Sequence, residues 1–581
     1  MLLLPVDAAA PPGWGGGILY LDPGPFAPPA LGGQEVPTIL FADAAPDPVR
    51  SILTRGAPRL AADYRQRLRA AVRAARLGGP AGLPDPGPAA LGLGPGEAIL
   101  VVDPCDPALA GAAAALLDEA SVGDTRPCIV RDPFAPARAS TTLHGARPER
   151  LSPWTLIDAA AAVHAAPGAM ARLAALAGCR VIGAGGDADP LDALAAAARC
   201  VDPIGRSPIG LEEALETLGT WRRQHAQNRD IAVCVGMSFW KRRRIGAALG
   251  SAGAPVSFAR GGRDAVATAS RRGGAIAVWA SRAPRGLVAQ AAQARVPLVW
   301  IEDGFIRSAG LGAGFLPGAS LTCDRRRPYY DPSGPSDLER LLATAEVPSA
   351  LRKRAEALRA ALRAGGVTKY NLPGAAPVLP STPGRRRILV PGQVEDDLSV
   401  RLGASAEVRG NLDLLRAVRA AAPDAFIAFK PHPDVEAGYR RGAVPEAEAR
   451  ALADVVVARA PIAPLLDQVE EVHTITSLTG FEALLRGRAV TCWGRPFYAG
   501  WGLTEDRAPI PRRRRRLSVD ELLAIALILY PRYLDPVTEL PCTPEQLIER
   551  LREPRAWSGG FAARLRRWQG RVMARLLPGR G

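Results

Sequence analysis

The chain repeats itself at long range, and that repeat constrains the fold more than any other feature. Cys200 onward reads CVDPIGRSPIGLEEALETL and Tyr533 onward reads YLDPVTELPCTPEQLIERL. Asp202-Pro203 matches Asp535-Pro536, Pro208 matches Pro541 and Glu212 matches Glu545, all in one register. Further back, Val163-His164 matches Val472-His473, Gly178 matches Gly487, and ILVVD at Ile99 rhymes with ILVPG at Ile388. Residues 97–225 therefore read as a second copy of residues 386–557, the mark of a duplicated module. Short apolar runs (ILVVD, AIAVWAS, VPLVWI) alternate with Ala/Leu-rich stretches of helical length, which argues for α/β layering.

Four regions follow from this pattern. Residues 1–225 form a truncated N-terminal module, Pro/Gly-rich to about Pro95 apart from an expected helix over Pro58–Leu77. Residues 226–383 and 384–557 form two α/β halves joined by the Pro/Gly linker Pro373–Gly384, with a ligand cleft expected at the carboxyl ends of their strands. Residues 558–581 form a basic amphipathic tail, in which Leu565, Trp568, Val572 and Leu576 can share one helical face. The first copy has lost its equipment: Gly168, Met170, Ala171 and Leu173 stand where the second has Ser477, Thr479, Gly480 and Glu482. Lys430-Pro431-His432-Pro433 has become Arg131-Asp132-Pro133. That copy is expected to be catalytically silent.

Four constellations carry chemistry. In VHTITSLTGFEALLRG an apolar strand runs into a hydroxyl-rich turn (Ser477, Thr479, Gly480) and then a helix expected from Phe481 to Arg486. Free N–H groups and the helix dipole make such a turn a seat for phosphate, and Glu482 in the first turn can reach a ribose diol. An aromatic loop with Trp493, Phe497, Tyr498 and Trp501 follows. Glu302-Asp303-Gly304 closes the strand VPLVWI, with Arg307 and Ser308 beyond it. Glu395, Asp396 and Asp397 close another strand and can hold a metal, cap a helix or supply one nucleophile or base. In FKPHPDV, flanking prolines hold His432 rigidly beside Lys430. Only four of the 73 basic residues are lysine, and three of them (Lys241, Lys369, Lys430) fall in WKR, TKY and FKPHP. Where arginine is otherwise the rule, a retained lysine marks a need for a compact ammonium.

Other classes are less compatible with these features. The charge of +16 favours anionic partners. Its densest segments are Arg512–Arg516 and the C-terminal tail, and a solvated charge run is the bland reading of each. No nucleic-acid reader motif accompanies the charge, and the aromatics cluster in one Gly/Pro loop, so no nucleic-acid partner is expected. The eight scattered cysteines lack metal spacing, and no apolar run reaches the roughly 18 residues of a membrane span.

EDGFIRSAGLG, YYDPSGPSDLE, TKYN, PGQVEDD, KPHPDV, HTITSLTGFEALLRG and PFYAGWGLT, in this order, resemble the KpsC/LipB capsule polysaccharide biosynthesis proteins, specifically their C-terminal β-Kdo transferase module. The resemblance implies a GT-B-like pair of Rossmann-type halves. It implies a cytoplasmic enzyme peripheral to the inner face of the inner membrane, among capsule assembly and export proteins. The reaction implied is retaining transfer of Kdo from CMP-β-Kdo to a phosphatidylglycerol-linked Kdo primer through a β-2→7 linkage, with no cofactor and no metal. By motif position Asp397 is the nucleophile and Glu302 the acceptor base, with Asp303 as fallback. His432 and Lys430 would stabilise the departing CMP phosphate, Ser477, Thr479 and Gly480 would seat it, Glu482 would hold the ribose and Arg307 the Kdo carboxylate. The alternative is a catalytically inactive scaffold of the capsule machinery.

Overall fold

The computed structural model describes residues 58–552 except 81–82, 123–125, 184–188, 206, 252–255, 308–317 and 369–376, together with the backbone of the short strands Leu2–Pro5, Ile18–Leu21 and Ile39–Phe41. Ser308, Lys369, the whole basic C-terminal tail and the first part of the linker lie outside the described residues. The chain forms two compact units divided at Asp230, with 250–255 belonging to the first. The division falls past residue 225 because the helix Leu211–Asn228 runs through that point.

The first unit holds a four-stranded parallel sheet in the order Cys128–Arg131, Ala98–Asp103, Ala160–His164, Arg180–Ile182. The helix expected over Pro58–Leu77 spans Ala62–Ala75 and ends where Arg76 turns left-handed at φ 50°. In the second unit a six-stranded parallel sheet runs Val455–Val456, Phe426–Lys430, Arg387–Pro391, Glu471–Thr474, Ala489–Cys492, Glu505–Asp506. Its four central strands repeat the order of the first unit's sheet. Register repeats as well: Leu100 pairs with Val163 as Leu389 pairs with Val472. Turn chemistry agrees too. Asp202 accepts from Ile204 and Gly205 N–H groups, and Asp535 accepts from those of Val537 and Thr538. The sequence repeat is thus a repeat of topology.

The other half of the second unit is a seven-stranded sheet. Ser257–Phe258, Ile231–Val235, Ala275–Trp279 and Leu298–Asp303 are parallel, and Ser320–Asp324, Arg532–Leu534 and Pro541–Cys542 are antiparallel additions. One boundary is therefore corrected: the chain after Arg532 returns to the first half instead of completing 384–557. Its last described helix, Pro544–Leu551, is held there by Arg354 donating to both Glu545 oxygens at 2.9 and 3.0 Å. Each sheet is buried on both faces, which is why its strands read as unbroken apolar runs. Ile388, Val390, Leu414, Leu415, Ile427 and Phe429 centre one core, and Ile276, Val278, Ala265 and Leu287 centre one face of the other sheet. The result is the GT-B-like pair of Rossmann-type α/β halves, within one unit.

Candidate active site

A cleft of about 460 Å³ lies between the two halves of the second unit. It is lined by Glu302, Asp303 and Arg307 from one half and by Asp397, Lys430, His432, Ser477, Thr479 and Glu482 from the other. Four motifs separated by up to 180 positions meet there because each closes a parallel strand at its carboxyl end, the place where open α/β sheets bind ligands.

Glu302 and Asp303 end the strand Leu298–Asp303. Gly304 follows because a Cβ there would stand 2.3 Å from Ser320 Oγ on the neighbouring strand. Asp303 is committed to cations: Arg307 Nε donates to it at 2.9 Å and Lys241 Nζ lies 3.4 Å away. Lys241 also sits 3.5 Å from the Trp279 ring centroid, and burial pulls its ammonium below the ordinary lysine range. With Glu302 beside it, this corner sets two carboxylates against two cations, and Arg307 is its group able to pair with a carboxylate ligand.

The three acids of PGQVEDD divide. Glu395 accepts from the Asn411 N–H at 2.7 Å, at the start of the helix Asn411–Ala421. Asp396 pairs with Arg440 at 3.2 Å. Asp397 alone of the three lines the cleft, and it also caps the helix Leu398–Gly403, its Oδ1 accepting from the Ser399 N–H and hydroxyl at 2.9 and 2.8 Å. Capping, weighed for these acids from the sequence, is therefore present at Asp397 alongside its place in the cleft.

His432 caps the short helix Pro433–Glu436, its Nδ1 accepting from the Asp434 N–H at 3.1 Å. An accepting Nδ1 carries no proton, so the neutral ring holds its proton on Nε2 as a donor. Lys430 is 4% exposed, and its Nζ meets only the Pro431 carbonyl at 3.2 Å and Glu436 at 3.9 Å among the described contacts. Burial lowers its pKa from the ordinary lysine value, with Glu436 opposing weakly. A bound phosphate favours the charged ammonium and raises that pKa again. Affinity for a phosphate ligand is therefore expected to be fully present below the free-state pKa, which lies below the usual lysine range, and to fall as pH rises through it. Calorimetry across that range should show the fall in wild type and not in Lys430→Met.

The phosphate turn differs in detail from expectation. The helix spans Leu478–Leu485, with Ser477 as its N-cap accepting from the Thr479 N–H at 3.2 Å. Glu482 consequently sits in the second turn, buried but still lining the cleft. Gly480 does not line it: its N–H is given to the Ser477 carbonyl, and a Cβ there would stand 2.3 Å from the Tyr498 hydroxyl. Glycine is needed at 480 so that Tyr498 can reach the Ser477 carbonyl and brace the turn from beneath. In the N-terminal copy the equivalent helix, Ala169–Leu176, has Gly168 at its cap and no side-chain bond there.

Two features were not legible as site elements. Gln393, 5% exposed, accepts at Oε1 from the Thr474 hydroxyl and the Ile475 and Thr476 N–H groups, each at 3.1 Å, and donates to the Thr476 hydroxyl at 3.0 Å. It ties the strand end carrying Asp397 to the turn carrying Ser477. An amide directly after a buried strand was the available signal. The aromatic loop is a seam between the halves: Phe497 stacks on Phe305 at 4.7 Å, Phe305 meets Tyr329 edge-on at 4.9 Å, and Phe497 lies 5.4 Å from Phe481. Part of the Arg512–Arg516 run is committed within the fold, while Arg514 and Arg516 are exposed. Arg513, 2% exposed at its side chain, donates to Glu339 and to the carbonyls of Pro496, Phe497 and Ala499, while Arg512 also pairs with Glu339.

Residues 274–372 and 376–533 match the family described as capsule polysaccharide biosynthesis protein, a range that contains all of the cleft residues named above. Over these residues the chain is similar to that family. The capsule polysaccharide modification protein LipA of Neisseria meningitidis is 40% identical over 340 residues, 58% of this chain and 48% of LipA. The lipopolysaccharide-processing protein LpsZ of Rhizobium meliloti is 42% identical over 262 residues, 45% of this chain and 59% of LpsZ. The chain thus spans about half the length of these curated relatives. The solved β-Kdo 2,4 transferase of Thermosulfurimonas dismutans KpsC is 32% identical, with a TM-score of 0.49 over 56% of this chain and 99% of that one. Among the described residues no helix is long and apolar enough to cross a membrane.

Proposed function

We propose that the second unit is a retaining β-Kdo glycosyltransferase that moves Kdo from CMP-β-Kdo to a phosphatidylglycerol-linked Kdo primer through a β-2→7 linkage. The observation that carries this reading is the single cleft joining Glu302 and Arg307 of one half to Asp397, Lys430, His432, Ser477, Thr479 and Glu482 of the other. The family match and the KpsC/LipB motifs support the substrate class. Asp397 attacks the anomeric carbon and forms a glycosyl ester as CMP leaves. Glu302 then takes the proton of the acceptor hydroxyl, which displaces Asp397, so two inversions restore the β configuration. Asp303, already engaged by Arg307 and Lys241, is the weaker base. His432 Nε2–H, Lys430 and the hydroxyls of Ser477 and Thr479 receive the phosphate charge, and Glu482 faces the ribose. No step calls for a metal.

Incubation with CMP-Kdo generated in situ and a synthetic Kdo-lipid acceptor should give steady CMP release and one linkage type. The absence of CMP release would favour the alternative, a catalytically inactive scaffold of the capsule assembly machinery. Mixed 2→4 and 2→7 linkages would instead show that the first unit, read here as a degenerate and silent module, is active.

We place the enzyme in the cytoplasm, at the inner face of the inner membrane among capsule assembly and export proteins, held by its basic tail. Binding to anionic vesicles is expected to weaken with added salt and to fall on deletion of residues after Gly560, with transfer to a soluble acceptor unchanged. Equal vesicle binding by the truncated chain would discard that placement.

A further inference from the structure

Tyr330 lines the same cleft and has no part in the mechanism above. It is 8% exposed, and among the described residues its hydroxyl meets no hydrogen-bond partner. A buried hydroxyl without a partner costs stability, so its retention in a ligand cleft points to a partner supplied by the ligand. The ring itself is held firmly, edge-on to Tyr329 at 5.3 Å, at the start of the YYDP turn.

Its neighbours say what that partner is. Burial pushes the phenol pKa up, and the carboxylates of Glu302, from one half, and Asp397, from the other, push it further. The hydroxyl is therefore neutral, a donor toward anions and no phenolate nucleophile. In the reaction proposed above, the anomeric carbon must lie between Asp397, which attacks it, and the acceptor oxygen served by Glu302. Kdo carries its carboxylate on that same carbon. Binding the sugar thus brings a third carboxylate between two others, where repulsion opposes the required approach. Arg307 offers a countercharge, and a neutral donor lining the same cleft as the two enzyme carboxylates offers a direct hydrogen bond.

We propose that the Tyr330 hydroxyl donates a hydrogen bond to the carboxylate of the transferred Kdo, holding the anomeric carbon between Asp397 and Glu302. This rests on the Kdo-transferase reading. It adds the group that recognises the 2-keto acid as such, and distinguishes it from sugars lacking a carboxylate at the anomeric carbon. No bond to Tyr330 is made or broken in either displacement.

The test uses the full chain and Tyr330→Phe, which keeps the ring and removes only the oxygen. Three readouts are compared: turnover of CMP-Kdo, calorimetric binding of free Kdo to the CMP-loaded protein, and the same binding with Kdo methyl ester. The expected result is a fall in kcat of about 100-fold, with CMP affinity unchanged and Tm unchanged or higher, because an unpartnered buried hydroxyl has been removed. Kdo binding should weaken by about tenfold, and binding of the methyl ester, whose neutral carbonyl is a weaker acceptor than the carboxylate, should weaken distinctly less. Turnover within threefold of wild type together with equal Kdo binding would overturn the proposal, and so would a Kdo adduct mapping to Tyr330. If wild type releases no CMP but binds Kdo in a Tyr330-dependent way, the transferase reading falls and the carboxylate contact stands. If wild type neither turns over CMP-Kdo nor binds Kdo, both fall.

Discussion

Asp397→Ala is expected to abolish Kdo transfer, by about 10⁴-fold or more, while CMP still binds. The anomeric carbon of Kdo is fully substituted and bears a carboxylate, so direct attack by the acceptor on the leaving-group face would be crowded and electrostatically poor. A carboxylate on the opposite face avoids both problems. Asp397 is the acid of its triplet that lines the cleft, since Glu395 serves the Asn411 N–H and Asp396 pairs with Arg440. Because Asp397 also caps the helix Leu398–Gly403, the alanine variant should lose about 1 kcal/mol of stability as well. Asp397→Asn separates the two roles. Asparagine caps as well as aspartate, so Tm should be nearly unchanged, yet a neutral amide cannot form the ester. Near-normal transfer by the asparagine variant would leave Asp397 as a cap alone.

The second large effect is on stability. Arg513→Ala is expected to cost about 3–5 kcal/mol, because Glu339 would keep a buried charge with one partner removed. Three carbonyls of the aromatic loop would also lose their donor. For a unit of this size the loss corresponds to a fall in Tm of roughly 10 °C. Replacing Arg513 and Glu339 together by leucine should be far less damaging to the pair itself, though the loop carbonyls would remain unpaired. Arg512→Ala should cost much less, since its side chain is 36% exposed. A thermal melt of the three variants orders them; equal small shifts for Arg512 and Arg513 would show that this clamp does not hold the seam.

Much of this was legible in the sequence, for identifiable reasons. The repeat survives at residues with fixed backbone duties, such as Asp202 and Asp535 in equivalent turns, so it reported topology faithfully. Strand-end motifs found their place because an apolar run followed by acids, Lys-Pro-His or a hydroxyl turn fixes both burial and direction. What sequence alone could not show depends on contacts far along the chain. Gly480 looks like part of a phosphate turn, and only the approach of Tyr498 reveals that its missing side chain makes room. The Arg512–Arg516 run looks solvated until Glu339, more than 170 positions earlier, is seen to meet it. The return of Arg532–Leu534 to the first sheet pairs it with Ser320–Asp324, a partner no local pattern specifies.

The central claim is that Asp397 carries the sugar between donor and acceptor. Glu302→Gln removes the base that activates the acceptor while leaving the nucleophile and the phosphate seat in place, so the first displacement should outrun the second. Intact-mass measurement of this variant after mixing with CMP-Kdo is the direct test. The account predicts one added Kdo residue, about 220 Da, mapping to the peptide that contains Asp397 and absent from the Asp397→Asn double variant. An adduct mapping to another residue, or wild-type turnover by Glu302→Gln with no adduct at any time, would contradict it.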